Sequence, residues 1–208
     1  MAEFAYARLR RDSRYQITGF TVDRSHLRAD AFCGLPIVPF EEVTRQFPPG
    51  SVRMFVAVGP VQCNRIRAER FEQAKSLGYS FVSYVSPYAI IDPDIAVGEN
   101  CSIGESAIVQ AYTQIGDDVR IGSASVIGHH CVLDDHSFIG VGCVLAGSVR
   151  VGRRAFIGVN ATIRDRVTIG EGCVIGAGAT IVRDTAPGSV HAAPEAIALP
   201  LSSDRVRF

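Results

Sequence analysis

Adjacent histidines occur once in this chain, at His129 and His130 within Gly128-His129-His130-Cys131. An imidazole ionises near ordinary working pH, so it can take a proton from an attacking amine or hydroxyl and return it later. Eighteen residues beyond His129 stands Gly147, in Leu145-Ala146-Gly147-Ser148-Val149. A glycine leaves its backbone N–H open to a bulky reactant, and such an N–H can hold the oxygen on which charge builds during acyl transfer. A base and an oxyanion donor are the two parts that reaction needs, provided something brings positions 129 and 147 together.

A six-residue repeat does so. From Ile91 to Ile181 every sixth residue is isoleucine, valine or leucine, an unbroken run of sixteen. Strands repeat about every 2 residues and helices about every 3.6, so a period of six belongs to a solenoid. The position after the aliphatic residue is usually glycine, and the position two before it is mostly small, as at Cys101, Ala107, Thr113, Ser125, Cys131 and Cys143. Each hexad therefore reads as a short strand plus a corner. The aliphatic and small side chains point into a narrow prism, and the glycine lets the backbone turn where a Cβ would clash. Three hexads close a triangular coil, coils stack about 4.8 Å apart, and the run makes about five of them. That stack sets Gly147 about 5 Å along one corner from His129. His136, one hexad later, falls on a different corner, and His191 is expected in an irregular tail.

These residues resemble the hexapeptide-repeat acyltransferases, whose fold is a left-handed parallel β-helix. Antifreeze-type helices, structural solenoids and γ-class carbonic anhydrases share the repeat, so chemistry needs a separate argument. A γ-class anhydrase would need three histidines converging on zinc. The positions one coil either side of His129 are Ala111 and Gly147, and of His130 Tyr112 and Ser148, so no histidine column forms.

With 208 residues, and with 1–84 outside the hexad register, two domains are expected. They are 1–84, then 85–186, with a tail over 187–208. Lys+Arg and Asp+Glu balance at 21 each, so no global field recruits nucleic acid or an anionic membrane. No stretch approaches the roughly 20 apolar residues of a membrane span and no charged, apolar leader opens the chain, so a cytoplasmic protein is expected. Cys101, Cys131, Cys143 and Cys173 all sit in the small inward column. Only Cys101 and Cys173 share a face, roughly 19 Å apart across four coils and too far for a disulfide. Cys33 and Cys63 lie outside the helix without CxxC spacing, and no metal site is expected.

In residues 1–84, strand-like runs at 15–22, Leu35–Pro39, 52–58 and 79–85 alternate with helical spacing at 3–11, 40–47 and 61–77. Alternation of this kind indicates a small α/β domain with a parallel sheet. Arg65, Arg67, Glu69 and Arg70 read as the solvated face of the third helix.

The order of elements, with the His129 corner, resembles the PglD-like (NeuD-like) sugar-nucleotide acetyltransferases over nearly the whole chain. That resemblance implies acetyl-CoA as donor, the amino group of a nucleotide-linked sugar as acceptor, and a homotrimer whose neighbouring helices form the cofactor groove. It makes His129 the base and Gly147 the amide donor. His130 stands where the family often has an acidic residue, with Asp134 or Asp135 as substitutes to orient the base, across a subunit boundary if need be. Val159 and Asn160 in Gly158-Val159-Asn160-Ala161-Thr162-Ile163, and Ala177 and Gly178 in the turn that follows Gly176, take cofactor-contacting positions. Arg183, with Arg164 and Arg166, is available to the phosphates. In the family the first domain opens with a strand and a glycine-rich turn, whereas this chain begins at the helix that should follow. What remains for the nucleotide is Asp23, at the end of Thr21-Val22-Asp23, and Gly59, after Ala57-Val58. Acetylation of a hydroxyl, and a non-catalytic scaffold, stay open as alternatives.

Overall fold

The computed structural model describes residues 1–198, 200 and 203–205; of the expected tail, positions 199, 201, 202 and 206–208 lie outside them. The hexads form a left-handed parallel β-helix, each contributing a strand of two residues except the one at Val97, which makes a single bridge to Ile115. Every interior pairing joins residues eighteen apart in parallel, such as Val126↔Val144 and Ile127↔Leu145. Three faces result. The first runs from Tyr84–Val85 through Phe138–Ile139 to Val190–His191. The second runs from Ile90–Ile91 through Val126–Ile127 to Thr180–Ile181, and the third from Gln114–Ile115 to Thr168–Ile169.

The inward column is a dry core in which Ile103, Ile127, Ile139, Ile157, Ile163, Ile169 and Ile175 have no exposed surface. The small column does more than fill space. Cys101 Sγ donates to Gly116 O, Thr113 Oγ1 to Gly128 O, Ser125 Oγ to Gly140 O and Cys143 Sγ to Gly158 O, each fifteen residues on. Serine, threonine and cysteine recur there because corner carbonyls would otherwise be buried without a donor. Burial pushes the Cys101 thiol up to about 12 and raises those of Cys131 and Cys143, which makes them inert.

The corner glycines are needed for closeness to the next coil. A Cβ at Gly158 would stand 2.6 Å from the Ala177 nitrogen, and one at Gly128 2.7 Å from the Ala146 carbonyl carbon. The left-handed turn itself falls two residues later, at Tyr112, Asp118, His130, His136, Ser148 and Asn160, all with φ between 56° and 63°.

The helix is longer than the run from Ile91 to Ile181. Tyr84–Val85 pairs in register with Ser102–Ile103, one hexad earlier, and Val190–His191 pairs with Val174–Ile175 sixteen residues back. His191 is therefore a strand residue, not part of an irregular tail. The last turn is two residues short, which moves the hexad phase and hides this strand from a six-residue count.

The N-terminal segment is less regular than its sequence suggests. It holds α1 (Ala2–Leu9), β1 (Phe20–Val22), β2 (Ala31–Phe32), β3 (Leu35–Pro39), α2 (Val43–Gln46, entered through a 3₁₀ turn) and α3 (Arg65–Ser76). The sheet is mixed: β1 pairs with β3 in parallel, β2 with β3 antiparallel. The run 15–22 shortens to β1, and 52–58 makes only bridges, Pro49↔Val52 and Met54↔Phe81. Side chains of the β-helix take over its backbone instead. Asn100 Oδ1 accepts the Val56 N–H at 2.8 Å, Arg120 Nη2 donates to Val56 O at 2.7 Å, and the Arg120 guanidinium lies over the Phe55 ring.

Arg67 is not on a solvated face. It is fully buried, with Nε donating to Asp118 Oδ2 at 2.9 Å, Nη1 to Asn64 Oδ1 and Nη2 to His136 O. Asp118 also accepts from Asn100 and pairs with His136 Nδ1 at 2.8 Å. Burial pushes the Asp118 carboxyl up, but the His136 hydrogen bond and the guanidiniums of Arg67 and Arg120 outweigh it, so its pKa falls below the ordinary value. This buried cluster fastens α3 to the corner between the third and first faces.

Candidate active site

Eighteen-residue stacking places His129 and Gly147 on the corner between the second and third faces. Val126–Ile127 ends against Val144–Leu145, so the two chains leave the ladder side by side. Ser148 N–H donates to His129 O at 2.8 Å and fixes the corner. The His129 ring lies over Gly147: a Cβ there would stand 2.6 Å from Cε1 and 2.7 Å from Nε2. Any larger residue would have to push this ring aside. Among the described residues the Gly147 N–H donates no hydrogen bond, and Gly147 is partly exposed, so a donor beside the Nε2 edge is free for another acceptor.

His130 follows in the left-handed conformation and is exposed, like His129. Their Nδ1 atoms are 3.1 Å apart. Two further residues at this corner were not singled out from sequence. Tyr112, one coil before His130, packs its ring against the His130 ring at 4.7 Å, and Gln110 Oε1 accepts the His129 backbone N–H at 3.1 Å. The signal for Tyr112 is its place eighteen residues before His130, in the same corner column.

The acids proposed to orient the base are engaged elsewhere within the chain. Asp134 pairs with Arg150 at 2.8 Å, and Asp135 with Arg153 at 3.2 Å while accepting the Asp117 N–H. His136 is buried in the Arg67 cluster on another corner.

The expected cofactor residues divide between two corners. Arg183 shares the His129 column, three coils on, and is exposed. Val159, Asn160, Ala177 and Gly178 line the corner between the first and second faces, across the width of the second face from His129. There Asn160 N–H donates to Val141 O, Gly178 N–H to Val159 O, and the Asn160 side chain reaches across Gly142, where a Cβ would meet its Oδ1 at 2.3 Å. One chain does not bring the two groups together.

In the N-terminal segment Asp23 Oδ2 is held by Arg70 Nη2 at 2.6 Å, with His26 at 3.9 Å. Gly59 is partly buried against Met1, whose Cγ would lie 3.5 Å from a Cβ. Among the described residues no helix is long and apolar enough to cross a membrane.

A coil of hexads with a histidine set over an open glycine amide defines a left-handed β-helix acyltransferase. Residues 112–147 and 148–183 match the bacterial transferase hexapeptide (six repeats) family. Curated proteins yield no match. Among solved structures, a histidine-to-asparagine variant of perosamine N-acetyltransferase from Caulobacter crescentus, in complex with CoA and GDP-perosamine, is 30% identical with a TM-score of 0.81 over 92% of this chain and 89% of that one. The acetyltransferase domain of PglB from Neisseria gonorrhoeae, in complex with acetyl coenzyme A, is 31% identical with a TM-score of 0.79 over the same shares, 92% and 89%. WeeI from Acinetobacter baumannii shares the fold at 18% identity and a TM-score of 0.79, over 90% of each chain. The chain belongs to the PglD-like (NeuD-like) sugar acetyltransferases of the hexapeptide-repeat superfamily, enzymes that use a coenzyme A thioester as acyl donor.

Proposed function

We propose that this enzyme transfers the acetyl group of acetyl-CoA to the amino group of a nucleotide-linked amino sugar, with His129 as general base and the Gly147 N–H as oxyanion donor. The observation that carries this reading is the imidazole edge lying over a glycine whose amide is unspent. His129 Nε2 takes the amine's proton as nitrogen attacks the thioester carbon. Charge moves to the carbonyl oxygen, which accepts from Gly147 in a tetrahedral intermediate. Collapse breaks the C–S bond, and the imidazolium returns the proton to the departing thiolate. A histidine is also the residue replaced in the Caulobacter complexes with CoA and GDP-perosamine.

The division of expected residues between two corners supports a site completed by a second copy. In a closed three-fold assembly the His129 corner of one chain faces the Val159, Asn160, Ala177 and Gly178 corner of its neighbour, and acetyl-CoA lies in the groove between them. Arg183 is then a phosphate ligand, and Asp23 and Gly59 contact the nucleotide sugar. Residues 1–84 serve nucleotide-sugar binding and the β-helix serves acyl transfer. The reaction belongs in the cytoplasm, where both substrates are made.

Labelled acetyl-CoA offered with matched amino- and hydroxy-sugar nucleotides tests the reading. Label should pass to the amino sugars. Transfer only to the hydroxy analogues would make it an O-acetyltransferase, and transfer to neither would refute the assignment of a sugar nucleotide as acceptor.

A further inference from the structure

We propose that His130 is the positioning residue of the base, a neutral hydrogen-bond acceptor that fixes the working tautomer of His129 where a carboxylate would otherwise do so. This rests on His129 being the base. The rings meet through Nδ1 and Nδ1 at 3.1 Å and stand nearly perpendicular, at 88°. Two ring nitrogens in contact share one proton, so there are two arrangements. A proton on His130 Nδ1 makes His129 Nδ1 the acceptor and puts the single ring proton of neutral His129 on Nε2, where no lone pair is left to accept one. A proton on His129 Nδ1 leaves Nε2, the edge over Gly147, free. When Nε2 then takes the substrate proton, the Nδ1–H belongs to an imidazolium and its bond to His130 strengthens, as charge-assisted bonds do. The contact is therefore tighter in the transition state than before it, the condition for raising kcat.

The preceding coil holds both members. Tyr112 packs on the His130 ring, and Gln110 receives the His129 N–H. The groups facing the pair are the Tyr112 phenol, the Gln110 amide and Gly147. Among the described residues no carboxylate is ion-paired with either ring, since Asp134 and Asp135 are taken by Arg150 and Arg153. Putting a carboxylate in place of this acceptor adds a negative charge that stabilises imidazolium, which sets the direction expected of an acidic variant.

The test compares pH profiles of kcat and KM for the full chain and its variants, with label transfer from acetyl-CoA as the assay. His130→Phe keeps a ring against Tyr112 but removes the acceptor, and kcat should fall by about 10²-fold with KM for acetyl-CoA unchanged. His130→Asp should restore kcat at high pH to within about tenfold, with its acid limb moved up by about one pH unit. A His130→Phe kcat within about threefold of the parent, or an Asp variant whose acid limb lies at or below the parent's, overturns the proposal. Histidine-selective ¹⁵N NMR of the unaltered protein reads the same point without a variant: His129 should carry its proton on Nδ1, and finding it on Nε2 overturns it equally. If His129→Ala stays active, the base assignment fails instead; if His129 is essential and His130→Phe is silent, only the present inference does.

Discussion

At Gly147 a single methyl group separates two kinds of damage. A Cβ would meet the His129 ring, an exposed side chain, rather than backbone, and Gly147 has no left-handed φ to protect. Gly147→Ala should therefore melt close to the parent while kcat drops about 10²-fold, as expected when a positioned acid–base group is pushed aside. Calorimetry beside kinetics checks it. His129→Ala should cost about 10²–10⁴-fold in kcat and leave acetyl-CoA binding, measured by titration calorimetry, intact. The pairing of 129 with 147 was legible because it needs only the hexad count. Arg67 was not: nothing local distinguishes a buried arginine on α3 from the exposed Arg65 or the half-buried Arg70, since its partner Asp118 lies 51 positions away.

Between the elements, the Arg67–Asp118–His136 cluster ties α3 to the β-helix. Its carboxylate and guanidinium are both fully buried, and removing one partner of such a pair costs about 3–5 kcal/mol. Asp118→Asn should lower stability by that order near neutral pH. The folded carboxyl has a depressed pKa, so its contribution is complete above the unfolded value, 3.8, and fades as pH falls through the lower folded one. Denaturation curves of parent and variant should thus stay apart down to about pH 5, begin to converge below the unfolded carboxyl value and meet only below the folded one. Within the helix, Gly158→Ala presses a Cβ to 2.6 Å from the backbone of the next coil and should cost about 1–3 kcal/mol. The strands of the β-helix were legible because their period repeats sixteen times. The run 52–58 misled because its composition suits a strand, while the groups that satisfy its backbone, Asn100 and Arg120, come from another part of the chain.

For the whole molecule the decisive measurement is mass. The proposed site, whose expected cofactor residues lie on two corners of one prism, needs a neighbour, so light scattering should give about three times the 22.4 kDa chain mass. A monomer that still transfers acetyl groups would sink the shared groove. Eighteen-residue stacking also gives the fold a reading frame of its own. Adding or losing a whole coil ahead of His129 would shift the catalytic corner along the axis and keep its bearing, whereas losing one hexad would swing it a third of a turn away from residues 1–84. Natural length variants should therefore differ by eighteens before position 129. Odd remainders should collect at the far end, where the sixteen-residue step to Val190–His191 already shows one absorbed, with no further strand of the β-helix after it among the described residues.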